Sequence, residues 1–212
     1  MRRFALTERL AHWVYALLFL GALLTGLLMW IPATRVWMAG DRQEFAQHHA
    51  AAGIVMVLLP LVLFLAFDRR SLAAGLSEVD RWSVHDRRWF WAALRGDILR
   101  GREMPPQGRF NAGQKLYSVV VAAMSLGFLL TGSLLLSKSR LPAWLVSRAL
   151  WLHAALAVSG AALLVGHLAN VFLTKHGRAS LLAMLRGTYP VDMARRHHLL
   201  WWEKSTERGE QE

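Results

Sequence analysis

The chain has no cysteine among its 212 residues. Disulfides, cysteine-ligated iron–sulfur clusters and cysteine zinc sites are therefore excluded within it, and any metal or redox centre must rest on histidine or methionine. Carboxylates are scarce, with 14 Asp and Glu against 25 Lys and Arg. Charge of either sign is missing from four windows, 10–31, 45–67, 116–137 and 149–174. Each is longer than the roughly 18 residues that mark a spanning helix. Helices of a soluble core would carry a polar face, which these windows lack. The sequence therefore predicts one all-α integral membrane domain over residues 1–212, a bundle of four spans at about 7–31, 47–67, 114–137 and 149–174. A loop over 68–113 and a tail over 175–212 complete it. With no carboxylate inside any span, an ion- or proton-coupled transporter is disfavoured.

The excess positive charge follows the same organisation. The ends and the long middle loop carry twenty Lys and Arg, and the two short loops carry five. Basic residues gather in cytoplasmic segments, so both termini and the middle loop are expected in the cytoplasm. This accounts for the formal charge of +11 without a nucleic-acid partner. The first span follows Arg2, Arg3 and Arg9 and is too long for a signal-peptide core, so it reads as a retained anchor helix. Thr7 is the expected N-cap of that helix, and Pro32 ends it. Within the middle loop, residues 83–99 mix Trp89, Phe90 and Trp91 with Arg87, Arg88 and Arg95, the pattern of an amphipathic helix lying on the membrane surface.

Nine histidines are present, and the topology sorts them. His153 and His167 lie fourteen residues apart in the last span. That is close to four helical turns, so both rings leave one face about 21 Å apart along the axis. An intramembrane histidine needs a partner and marks a functional site by default. His12 begins the first span on the inner side, and His48 and His49 begin the second on the outer side. Depth then pairs His12 with His167, and His49 or His48 with His153. Two bis-histidine sites at two depths are what a pair of b-type haems requires, each iron held from two facing helices. Gly21, Gly26, Gly53, Gly160 and Gly166 leave room for a flat macrocycle. His85, His176, His197 and His198 fall outside the spans and are expected to face solvent or headgroups. The tripeptides Leu24-Thr25-Gly26 and Leu130-Thr131-Gly132 are identical and read as small-residue positions for close helix packing.

Several stretches together carry a resemblance. They are Ala11-His12-Trp13, His49-Ala50-Ala51-Ala52-Gly53, Phe110-Asn111-Ala112-Gly113-Gln114-Lys115, Leu152-His153-Ala154-Ala155, His167 and Arg195-Arg196-His197-His198. With these the chain resembles the gamma subunit of membrane-bound bacterial formate dehydrogenase, a dihaem cytochrome b. The resemblance implies an inner-membrane, multi-pass protein. It implies that His49 and His153 hold the outer haem b and that His12 and His167 hold the inner one. It further implies a quinone, menaquinone or ubiquinone, bound beside the inner haem by Asn111, Gly113, Gln114 and His167. The partners it implies are a periplasmic iron–sulfur beta subunit and a molybdenum or tungsten alpha subunit. Formate oxidation would belong to that alpha subunit, so no catalytic residue is assigned in this chain. Two other readings are a b cytochrome serving a hydrogenase or another molybdoenzyme, and a haem-free anchor for a periplasmic complex.

Overall fold

The computed structural model describes residues 1–37, 41–98, 100–207 and 209, and among these no β-strand occurs. In chain order the helices are α1 (Leu6–Trp30), the short α2 (Pro32–Trp37), α3 (Arg42–Phe67), α4 (Arg69–Asp80) and α5 (Val84–Leu94). Then come α6 (Ala112–Leu136), α7 (Ala143–Leu173), α8 (Lys175–Arg186), α9 (Val191–His197) and α10 (Leu199–Glu207). The four uncharged windows sit in α1, α3, α6 and α7, each long and apolar enough to cross a membrane. Leu17, Leu130 and Val165 on these helices are each 67% exposed, which suits a lipid surface and not an aqueous one. The protein is a multi-pass membrane protein.

The span positions agree with the sequence reading, and their starts differ. α3 begins at Arg42 and α7 at Ala143, several residues before the expected starts. Arg42, Glu44 and Arg148 are good helix formers, so the helix runs past the edge of the uncharged window. At the start of α1 the expected N-cap, Thr7, lies inside the first turn. The Glu8 carboxylate accepts from the Ala5 N–H at 2.8 Å instead.

The chain divides into two compact bodies. The first, residues 10–67 and 122–166, is a four-helix bundle of α1, α3, α6 and α7. Its helices meet at small residues. A Cβ placed on Gly160 of α7 would come within 3.1 Å of Phe19 on α1, and one on Gly127 of α6 within 2.9 Å of Leu156 on α7. Gly160 therefore serves helix packing and does not make room for a cofactor. Tyr15 and Ser125 join α1 to α6 through a 2.8 Å hydrogen bond.

The second body holds residues 1–9, 68–121 and the chain from 167 onward. Its first residues run antiparallel to 187–189, with the Arg3 N–H donating to Gly187 at 2.8 Å and the Tyr189 N–H to Met1 at 2.9 Å. Gly187 ends α8 at φ +85°, a conformation that favours glycine, and a Cβ there would sit 3.1 Å from the Phe4 carbonyl. Phe4, Ala179, Ala183, Tyr189 and Ala194 form the core of this body. Arg109 clasps both Glu8 oxygens at 2.7 Å.

A helix is present within the expected 83–99 stretch, but it is shorter. It is α5, opened by a Ser83–Asp86 capping box and closed before Gly96, which takes φ +77°. Leu99 lies outside the described residues. Lys115 at the start of α6 reaches back to Asp86 at 3.0 Å and to the Arg81 carbonyl at 2.8 Å. α4 was not expected. Asp68 caps it by accepting from the Ser71 N–H at 3.0 Å.

Candidate functional site

Within the bundle, α3 and α7 bring His49 and His153 face to face, with ring centroids 5.9 Å apart and planes at 65°. His48, one residue earlier, points to the exposed side of α3. Of the two adjacent histidines, the fold thus turns His49 toward His153.

Each ring is tied at Nδ1 by a threonine from a neighbouring helix. His153 Nδ1 lies 2.8 Å from Thr131 Oγ1 on α6. His49 Nδ1 lies 3.1 Å from Thr25 Oγ1 and 3.0 Å from the Ala22 carbonyl, both on α1. Both threonine hydroxyls donate along their own helix, Thr131 to Gly127 at 2.7 Å and Thr25 to Gly21 at 2.8 Å. With its hydroxyl hydrogen on the helix carbonyl, each threonine oxygen can accept the imidazole N–H, which leaves the Nε2 lone pair free on both rings. The next residue is glycine in both helices. A Cβ on Gly26 would stand 3.1 Å from His49 Cε1, and one on Gly132 would stand 3.8 Å from His153 Cε1. The repeated Leu-Thr-Gly tripeptide is thus more than a packing motif. It supplies each histidine with an acceptor and a cleared flank.

These residues fit a haem iron. His49 and His153 would be its two protein ligands through Nε2, and their rings face one another with centroids 5.9 Å apart. Among the described residues no three of His, Asp and Glu converge as a bare metal ion would need. Two protein ligands suffice when a macrocycle provides the others. A Cβ on Gly21 or Gly53 would meet nothing within 4 Å, so α1 and α3 carry unfilled positions in the same bundle.

The expected quinone residues lie in the second body. Asn111 and Gln114 form a reciprocal box at the start of α6. The Gln114 N–H donates to Asn111 Oδ1 at 2.8 Å, and the Asn111 N–H donates to Gln114 Oε1 at 3.0 Å. The side-chain oxygens are used by the helix start, and the amide NH2 groups are what each can offer a ligand. Gly113 lies under Trp89 of α5, where a Cβ would come within 2.9 Å of the indole. One turn further along α6, Tyr117 stacks on His167 of α7 at 5.5 Å and 17°. His12 belongs to the bundle, half-buried and edge-on to Trp13 at 5.3 Å.

A family model for prokaryotic cytochrome b561 matches residues 3–187 of this chain. The chain belongs to the prokaryotic cytochrome b561 family. As a cytochrome b it binds haem b and serves electron transport. It is similar to the formate dehydrogenase cytochrome b556(fdo) subunit of Escherichia coli K12, with 26% identity over 97% of this chain and 95% of that one. The nitrate-inducible cytochrome b556(Fdn) subunit of the same organism is 24% identical over 93% of this chain and 88% of its own length. A formate dehydrogenase cytochrome b556 subunit of Haemophilus influenzae is 22% identical over 92% and 79%. These relatives agree with the resemblance read from the motifs.

Sequence reading misplaced histidines outside the spans of this cytochrome b. His198 was expected at the surface and is fully buried, its Nδ1 2.8 Å from the Gly108 carbonyl and its ring against Tyr189 and Trp201. Burial and the nearby Arg3 push its pKa down to about 2. His176 is held by the Tyr189 hydroxyl at 2.9 Å, with its pKa lowered to about 4 by burial, His197 and Arg3. Sequence reading also missed Thr25, Thr131 and Tyr117 as partners of the membrane histidines. The repeated tripeptide was the available signal for the threonines. Tyr117 gave no signal, since one tyrosine in an apolar helix is ordinary.

Proposed function

We propose that this chain is the cytochrome b subunit of a formate dehydrogenase in the bacterial inner membrane. In this reading it carries electrons from a periplasmic iron–sulfur subunit, which is reduced in turn by a molybdenum or tungsten alpha subunit, to a quinone near the cytoplasmic side. It would do so with two haems b, His49 and His153 holding the outer one and His12 and His167 the inner one. Haem supplies one-electron redox chemistry, and the chain supplies position and electrostatics. The observation that carries the reading is the facing pair of His49 and His153, each tied at Nδ1 by a threonine of a neighbouring helix.

The inner pair rests on depth along α1 and α7 and on the resemblance. For the quinone, Asn111 and Gln114 have amide donors for its carbonyl oxygens, and Tyr117 holds the His167 ring. Both termini and the segment 68–113 would lie in the cytoplasm, following the distribution of Lys and Arg. Protons for the quinone would then come from the cytoplasm, so turnover would move charge across the membrane.

The test is a reduced-minus-oxidised visible spectrum of the purified chain with a haem count. Two haems b are expected, falling to one in His153→Ala and to one in His12→Ala. No haem in a well-folded preparation made with ample haem would reject this reading in favour of a membrane anchor. Formate-driven reduction in the isolated complex would separate a formate dehydrogenase from a hydrogenase.

A further inference from the structure

We infer that Thr131 and Gly26 are positioning residues of unequal kind, Thr131 fixing the tautomer and donor strength of His153, and Gly26 fixing the ring placement of His49. The inference rests on the reading that these two histidines hold a haem.

The two Thr-Gly pairs are alike in sequence and differ in what surrounds them. His153 Nδ1 has one hydrogen-bond partner, Thr131 Oγ1 at 2.8 Å. Thr131 is only 3% exposed, so no solvent can replace that oxygen. His49 Nδ1 has two acceptors, and the Ala22 carbonyl at 3.0 Å remains if Thr25 is removed. The tautomer of His49 is therefore secured twice and that of His153 once.

Steric demands run the other way. A methyl group on Gly26 would come within 3.1 Å of His49 Cε1, while on Gly132 it would stand at 3.8 Å, an ordinary contact. Gly26 lies in α1 and cannot move without the helix, so the His49 ring would have to tilt. An acceptor on the N–H of a metal-bound imidazole raises its basicity and so favours the oxidised metal. Loss of that acceptor at His153 should ease reduction of the outer haem.

The experiment is a potentiometric titration of the purified, haem-loaded complex, read optically and by low-spin electron paramagnetic resonance. The outer haem is identified as the one that His153→Ala removes. In Thr131→Val, the reduction equilibrium of that haem should shift about tenfold toward the reduced form, about 59 mV for one electron. Thr131→Ser should restore it, and Thr25→Val should move it far less. Gly26→Ala should displace the outer-haem resonance or lose the haem, and Gly132→Ala should do neither. Loss of the outer haem in Thr131→Val with retention in Thr131→Ser also supports the inference. Equal shifts in both threonine variants, no shift in Thr131→Val, or loss of haem in Thr131→Val and Thr131→Ser alike would overturn it while leaving the ligand assignment intact. Retention of both haems in His153→Ala would instead overturn the ligand assignment, and the inference with it.

Discussion

A neutral imidazole carries one proton, and the acceptor it meets decides which nitrogen holds it. At His198 the Gly108 carbonyl takes the Nδ1–H, while Nε2 is buried with no hydrogen-bond partner. A second proton would have no acceptor, and Arg3 nearby opposes it. The unfolded chain binds that proton near pH 6.5, whereas folded His176 and His198 bind it only near pH 4 and 2. Stability from these groups is thus complete above pH 6.5 and is lost as pH falls below it, because the unfolded state then binds more protons. Hydrogen exchange, corrected for intrinsic rate, should show residues 176–202 losing protection between pH 6.5 and 4.5. His198→Asn should flatten that dependence, and equal loss everywhere would count against the assignment. Asn111 allows its two roles to be separated. Asn111→Asp keeps the capping oxygen and removes the amide donor, so the fold and haem should persist while KM for quinone rises about tenfold, one lost hydrogen bond. Asn111→Ala should show the same rise and lose about 1 kcal/mol of helix capping as well.

Among the elements, α5 is held by a buried charge pair. Lys115 and Asp86 form an ion pair with side chains 6% and 4% exposed, joining the start of α6 to the capping box of α5. Removing one partner leaves the other charge buried, at a cost of about 3–5 kcal/mol. Lys115→Ala should therefore open residues 81–115 to protease and lower the unfolding midpoint in detergent, and Lys115→Met with Asp86→Leu should recover part of the loss. A double variant as unstable as the single one would show that the pair's geometry, and not the stranded charge, matters. The four long helices were legible because each announces itself by an uncharged run. α4 was not, since its residues 69–80 are polar and mixed and gain their helix start from Asp68. Within the candidate site, the histidines were legible from residue type and spacing, and the 111–114 turn only from the resemblance. The oxygens that orient them were not, because Thr25 is 24 residues from His49 and Thr131 is 22 from His153.

For the molecule as a whole, the cysteine-free sequence is a ready background for mapping orientation. Ser139→Cys, in the short loop between α6 and α7 that the proposal places outside, should react with a membrane-impermeant maleimide in intact cells. Arg100→Cys should react only after the membrane is opened. Both positions are exposed, so failure to label would not reflect burial. Labelling in the opposite order would invert the proposed direction of quinone reduction. The sequence by itself determined the number of spans, their place in the chain, the distribution of charge between the loops and the exclusion of cysteine chemistry. In lipid a helix must satisfy its backbone within itself, so local composition is enough to mark it. Tertiary structure alone decided that His49 and not His48 turns toward His153, that a threonine stands at Nδ1 of both rings, and that His198 is buried. Those outcomes depend on side chains brought together from distant parts of the chain, and no local pattern carries them.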